Sequence, residues 1–246
     1  MENELNGRIG RVLPNATPDG NPTQVRLTRY GEIMTSGLPK TKHFLADEGT
    51  YYVATNPTPG TAIVHVVLAA FDDTKPYLLI RNQDLVGSGL AKRIYLDYIK
   101  LLTNVVPASA VEWGYTGHLD YSPWASRYTS GGSLITPVNT NGDVATPSMA
   151  LIRAGAITAV AGQSSRLVAR GRFRGVVPTI YDEFVVVFGA GEGGSGHAAA
   201  AAAGRVVTQS PPIVVGPGQN FALNLFGVSN AATPAQFEFE IGYWER

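Results

Sequence analysis

The chain contains no cysteine. Disulfides, thiolate nucleophiles and Cys-ligated zinc are excluded together, so stability has to come from packing or from contacts between copies. Charge is scarce too: 15% of residues are Asp, Glu, Lys or Arg, against about a quarter in an average globular protein. The 19 bases balance the 19 acids. No net field draws the chain to nucleic acid or to an anionic membrane, and little repulsion keeps copies apart. Long hydrophobic runs are missing. The longest, from about Ala62 to Phe71, is interrupted by His65 and falls well short of the ~20 residues of a membrane-crossing helix. The opening residues, Met1-Glu2-Asn3-Glu4-Leu5-Asn6, are acidic and polar, unlike a secretory leader. The expectation is a soluble protein made in the cytoplasm.

What is present points to β-structure. Hydrophobic residues make up 44% of the 246, with 28 Gly and 16 Pro, as expected for many short strands joined by turns. The final run alternates: Phe237, Phe239, Ile241 and Tyr243 fall on one side, and Glu238, Glu240 and Gly242 on the other. That is a half-buried antiparallel strand. Tyr51–Thr55, Thr61–Ala69, Tyr77–Ile80, Arg93–Leu102, Ala110–Leu119, Leu167–Val177 and Phe184–Phe188 also read as strands, the second of them central and covered on both faces. In Arg93–Leu102 the alternation sets Ile94, Leu96 and Tyr98 against Tyr95, Asp97 and Ile99. Ile213–Val215 and Phe221–Phe226 flank the turn Gly216-Pro217-Gly218-Gln219 like a hairpin. Residues 121 to 146 read as a long loop, and Pro147–Ala156 as room for a short helical turn. Gly189–Gly204 is low-complexity, with Gly/Ser followed by six alanines, Ala198 to Ala203.

About eight to ten strands without βα alternation predict an all-β fold, an antiparallel two-sheet sandwich of jelly-roll type spanning 51–246. Residues 1–50 are rich in Pro, Gly and Asn. They read as an extended N-terminal arm that needs another surface to lie on.

Motifs for chemistry are sparse. His43, His65, His118 and His197 lie far apart, without the paired spacing of a cupin metal site. Asp47-Glu48, Asp72-Asp73 and Asp182-Glu183 sit at strand ends and turns, where Asp serves the backbone. There is no Gly-x-Ser-x-Gly elbow, and Gly191–Gly196 lacks the Lys-Ser/Thr of a phosphate loop. No catalytic group, metal or cofactor is expected.

Two clusters stand out instead. Arg170, Arg172 and Arg174 project to one face of a strand, with Arg166 just before them. They read either as the solvated, pairing-averse face of an edge strand or as a contact stripe for carboxylates of a neighbouring subunit. Tyr121, Trp124 and Tyr128 cluster in the central loop. They read as anchors at a protein interface, as sugar stackers, or as a cover tucked over the sheet.

The C-terminal residues carry a resemblance. Pro211–Gln219, Phe221–Phe226 and Pro234–Arg246 resemble the ending of a family of tailed-bacteriophage virion proteins that accompany the major capsid protein. Arg29–Ile33, Gly49–Ala54, Leu79–Asn82, Gly87-Ser88-Gly89 and Lys92-Arg93-Ile94 are similar as well. The resemblance implies a decoration, or cement, protein on the exterior of the phage head. Its partner would be the major capsid protein, its own state a homo-oligomer with a trimer favoured, and no nucleic acid or membrane would be bound directly. The alternative is a receptor- or glycan-binding module on the virion exterior.

Overall fold

The computed structural model describes residues 41–64, 70–84, 91–105, 113–120, 127–161, 165–173, 180–189, 205–227 and 236–246. Leu45–Arg246 form one compact unit and Met1–Phe44 another. The larger unit carries every strand among the described residues. A short helix, α1 (Thr41–Asp47), falls within the segment expected to be an extended arm. It closes where the amides of Gly49 and Thr50 turn back onto the carbonyls of Ala46 and Leu45. The rest of the expected arm, 1–40, lies outside the described residues, as does the alanine run Ala198–Ala203.

Thirteen strands follow among the described residues: β1 (Tyr51–Thr55), β2 (Leu78–Asn82), β3 (Ile94–Val105), β4 (Trp113–Asp120), β5 (Tyr128–Ile135), β6 (Val138–Asn139), β7 (Ala150–Ala159), β8 (Ser165–Phe173), β9 (Glu183–Phe188), β10 (Arg205–Ser210), β11 (Ile213–Val215), β12 (Asn220–Gly227) and β13 (Gln236–Glu245). The first sheet runs β10-β9-β3-β13-β1-β6, with β11 also pairing β3; the second runs β5-β7-β2-β12-β4-β8. The pairing is nested. β1 pairs β13, β2 pairs β12, β3 pairs β9 and β4 pairs β8, all antiparallel. β5–β7 and β10–β11 are insertions within that nest.

The sheets pack face to face, as the alternation predicts. Phe237, Phe239, Ile241 and Tyr243 are all buried, in one core with Tyr52, Ile99 and Leu101 of their own sheet and Leu78, Ile80, Phe221, Leu223 and Leu225 of the other. Tyr77 seals one end of this core: its hydroxyl donates to the Phe237 carbonyl at 3.1 Å and its ring meets Phe239 edge-on.

Several sequence expectations are corrected. Thr61–Val64 is not a strand. Only Ile63 bridges, to Phe237, and residues 65–69 lie outside the described set. The 121–146 stretch holds β5 and β6 rather than only loop, and 150–159 is a strand rather than a helical turn. Ile213–Val215 and Phe221–Phe226 are not a hairpin: β11 joins the first sheet and β12 the second, so the turn between them crosses the sandwich. One pair, β9–β10, is parallel. In β3 the alternation changes phase. Asp97 has no partner in β13, so Ile94 and Leu96 face the core first and Ile99 and Leu101 take over after it. This bulge turns the buried Asp97 outward, where its carboxylate accepts a 2.6 Å hydrogen bond from the Tyr51 hydroxyl.

Candidate functional site

β4 sends Tyr115 and Gly117 toward the core, so Thr116, His118 and Asp120 lie on the outer face of the second sheet. β12 contributes Asn220, Ala222, Asn224 and Phe226 to the same face, because Phe221, Leu223 and Leu225 point inward. Arg170 of the edge strand β8 lies directly opposite Thr116. The 70–75 segment folds back over this face. Phe71 stacks on the His118 ring (centroids 5.0 Å, 14°) and meets Phe226 edge-on at 6.3 Å. Asn224 holds the segment down by donating from Nδ2 to the Asp72 carbonyl at 2.8 Å. The Asp72 carboxylate accepts from the Thr74 hydroxyl and amide, which keep its pKa below the ordinary value.

Arg127 locks the far side of this cover. Its side chain is fully buried, yet it stands among acids. Nη2 pairs with the Asp73 carboxylate and donates to the Asp73 carbonyl at 3.2 Å; Nε donates to the Val160 carbonyl at 3.1 Å; Nη1 lies 3.7 Å from Asp120 Oδ1. Burial raises the Asp120 pKa, and Arg127 opposes that rise. Asn220 sits opposite Asp120 in register, also fully buried.

Between the Phe71 cover and the β8 edge lies a groove of about 610 Å³, lined by Phe71, Tyr115, Thr116, His118, Leu167, Arg170, Gly171 and Phe226. Thr116 Oγ1 and His118 Nε2 are shut off from solvent, with no hydrogen-bond partner among the described residues. His118 Nδ1 lies 3.0 Å from Ser165 Oγ. Burial lowers the imidazole pKa; Asp73 works against that and Arg127 with it. Burial thus favours the neutral ring. Phe71 gives the groove an aromatic wall, and Arg170 stands exposed at its rim. A second cleft of about 520 Å³, bounded by Pro57–Val64 and the β5–β7 pair, has no charged side chain among the described residues of its lining.

The residues singled out in the sequence fall in different places. Arg170 is exposed and lines the groove. Arg172 lies in β8 opposite Gly114. Arg174, Tyr121 and Trp124 are outside the described residues. Tyr128 packs against Leu79, Ile157 and Ala222 under the Arg153 guanidinium, 4.0 Å from its ring centre, and so helps cover the second sheet. Phe71, Thr116 and Phe226 escaped sequence reasoning, and His118 read only as an isolated histidine. For Thr116 and His118 alone the sequence held a signal, Thr116-x-His118-x-Asp120, three polar side chains at strand spacing. Comparison with family models, curated proteins and solved structures returns no match.

Proposed function

We propose that this chain is a structural protein of a tailed-phage head, a decoration or cement protein that binds the outer surface of the major capsid protein and stabilises the shell. The observation that carries this reading is the strand order. Taken in chain order, β1, β2, β3, β4, β8, β9, β12 and β13 pair first with last, second with seventh, third with sixth and fourth with fifth. That nesting supports a jelly-roll reading of the sandwich, an architecture that recurs in viral capsid and lectin domains. Architecture alone does not give function. The residues of β13 and of the Gly216–Gln219 crossing, which resemble phage-head proteins, are the support for placing it on the virion.

The surface adds a physical reason. Tyr181 is held at φ +75°, uncommon for a bulky residue, and its side chain is 76% exposed. Its amide donates to the Thr103 carbonyl at 2.8 Å, while the Thr103 amide donates to the Asp182 carbonyl at 2.9 Å. Exposed Ile180 is its chain neighbour, and exposed Val105 lies two residues beyond Thr103. An exposed aromatic side chain on a turn whose backbone is tied to β3 suits a protein interface. A shell-binding trimer would repeat that anchor, and repetition multiplies weak contacts.

The test is cosedimentation of purified protein with empty shells of the major capsid protein. Binding should saturate, and Tyr181→Ala should weaken it by about tenfold or more, as for an interface anchor. Protein that stays in the supernatant at every concentration would end the proposal.

A further inference from the structure

We propose that β8, the edge strand of the second sheet, takes up an extended acidic segment of a partner protein as an added strand. This contact and the Tyr181 contact use separate residues, and either can fail without the other.

The backbone selects a polypeptide. β8 ends the order β5-β7-β2-β12-β4-β8, and among the described residues β4 is its only strand partner. In an antiparallel pair alternate residues direct their N–H and C=O groups to the partner, so the residues between them direct theirs away. Such an edge is a template for one more strand, with a repeat of about 3.3 Å per residue that an extended peptide matches. The surface beside it lies in solvent: Arg166 and Arg170 are exposed, and Leu167 is 52% exposed. The other edges are less suited. β5 shifts register twice against β7, with Gly131 and Gly132 at positive φ, and β6 is two residues long. β8 shifts once, and Ala169–Phe173 then pairs with β4 without interruption.

Charge selects the kind of peptide. Arg170 lies opposite Thr116, and Arg172 follows opposite Gly114. A second β8 laid antiparallel on this stretch would bring arginine positions against arginine positions, and like charges directly across a strand pair destabilise it. The basic side chains that turn away another β8 favour a strand carrying carboxylates, which a guanidinium forks through two parallel hydrogen bonds. Arg170 makes no ion pair among the described residues. Val168 and Ala169 both turn toward the core, so the strand bulges there and Leu167 returns to the face of Arg170, opposite His118. The added strand therefore meets a cation and, past the bulge, an apolar side chain. Alternating acidic and apolar residues would suit both.

The full chain is titrated with labelled heptapeptides, read by fluorescence anisotropy. One alternates glutamate and valine, one is the same peptide with every amide N-methylated, and one alternates lysine and valine. The acidic peptide should bind more tightly than the lysine peptide by about tenfold or more, and Arg170→Glu should abolish that preference. N-methylation keeps the carboxylates but removes the backbone donors, and should also cost about tenfold or more. Arg170 is exposed, so the variant should melt close to the parent temperature. Hydrogen exchange at residues 169–173 should slow when the acidic peptide is bound. No binding of the acidic peptide, a preference unchanged by Arg170→Glu, or equal binding of the N-methylated peptide would each overturn the proposal. The first outcome would leave the arginines as guards of the edge, and the last would make the contact one of charge alone.

Discussion

Arg127 is the residue on which most of the outer cover converges. Its three guanidinium nitrogens reach the 70–75 segment, Val160 and Asp120, and water reaches none of them. Removing one member of a buried charged set leaves the others desolvated and unmatched. Arg127→Met should therefore destabilise the protein by about 3–5 kcal/mol, read as a lower urea midpoint. Replacing Asp120 by Asn in the same chain should recover part of the loss, because the carboxylate stranded by the first change is then gone. Glu240 behaves differently. Partial burial works against its ionised form, but the Tyr98 hydroxyl at 2.6 Å and the Lys100 ammonium at 3.0 Å outweigh this and hold its pKa below the ordinary glutamate value. A carboxyl with a lowered folded-state pKa stabilises above its unfolded value, and that contribution disappears as pH falls through the folded value. The urea midpoint of the native protein should fall between about pH 6 and about pH 3, and Glu240→Gln should make that fall smaller.

Among the elements, the central strand β13 is the most tightly determined. It lies between β3 and β1 in the first sheet, with its whole inward face buried. Its outward face has its own constraint at Gly242. A Cβ there would lie 2.3 Å from Tyr98 Cε1 and 2.5 Å from the Tyr51 hydroxyl, so these two tyrosines close over the strand where it has no side chain. Gly242→Ala should cost about 1–3 kcal/mol and disturb the Tyr51–Asp97 and Tyr98–Glu240 hydrogen bonds. A shift in tyrosine near-ultraviolet dichroism would report it.

β13 and the strands of the nest were legible because alternation of apolar side chains is a local signal. β5 was hidden because Thr129-Ser130-Gly131-Gly132-Ser133 has the composition of a loop. Gly131 and Gly132 sit at φ +78° and +66°, and a Cβ on Gly131 would lie 2.2 Å from the Ala156 carbonyl oxygen. There glycine marks an irregular strand pressed against its partner rather than a connection. The phase change at Asp97 and the sheet crossing after Val215 are non-local: each is fixed by its pairing partner, and no window of sequence contains that partner. The groove was illegible for the same reason. Phe71, Thr116, Arg170 and Phe226 come from four distant stretches, and only the nested strand order brings them to one face.

At the scale of the whole molecule, β13 holds the middle of a sheet. A chain shortened to residue 235 loses β13, the shared partner of β3 and β1, and with it much of the inner core. Such a chain should show no cooperative urea transition, whereas the full chain should show one. Shortening the chain from the other end to begin at Leu45 leaves the larger compact unit whole and should preserve that transition. The central claim, a brace set on the outside of a phage head, concerns the assembled particle. Its most direct measurement is a cryo-electron reconstruction of tailed-phage heads assembled in the presence of this chain. The account predicts density for the two-sheet body at symmetry-related positions on the outer surface, touching the major capsid protein through the Tyr181 end. Heads that carry no such density, or that place this chain inside the shell, would contradict it.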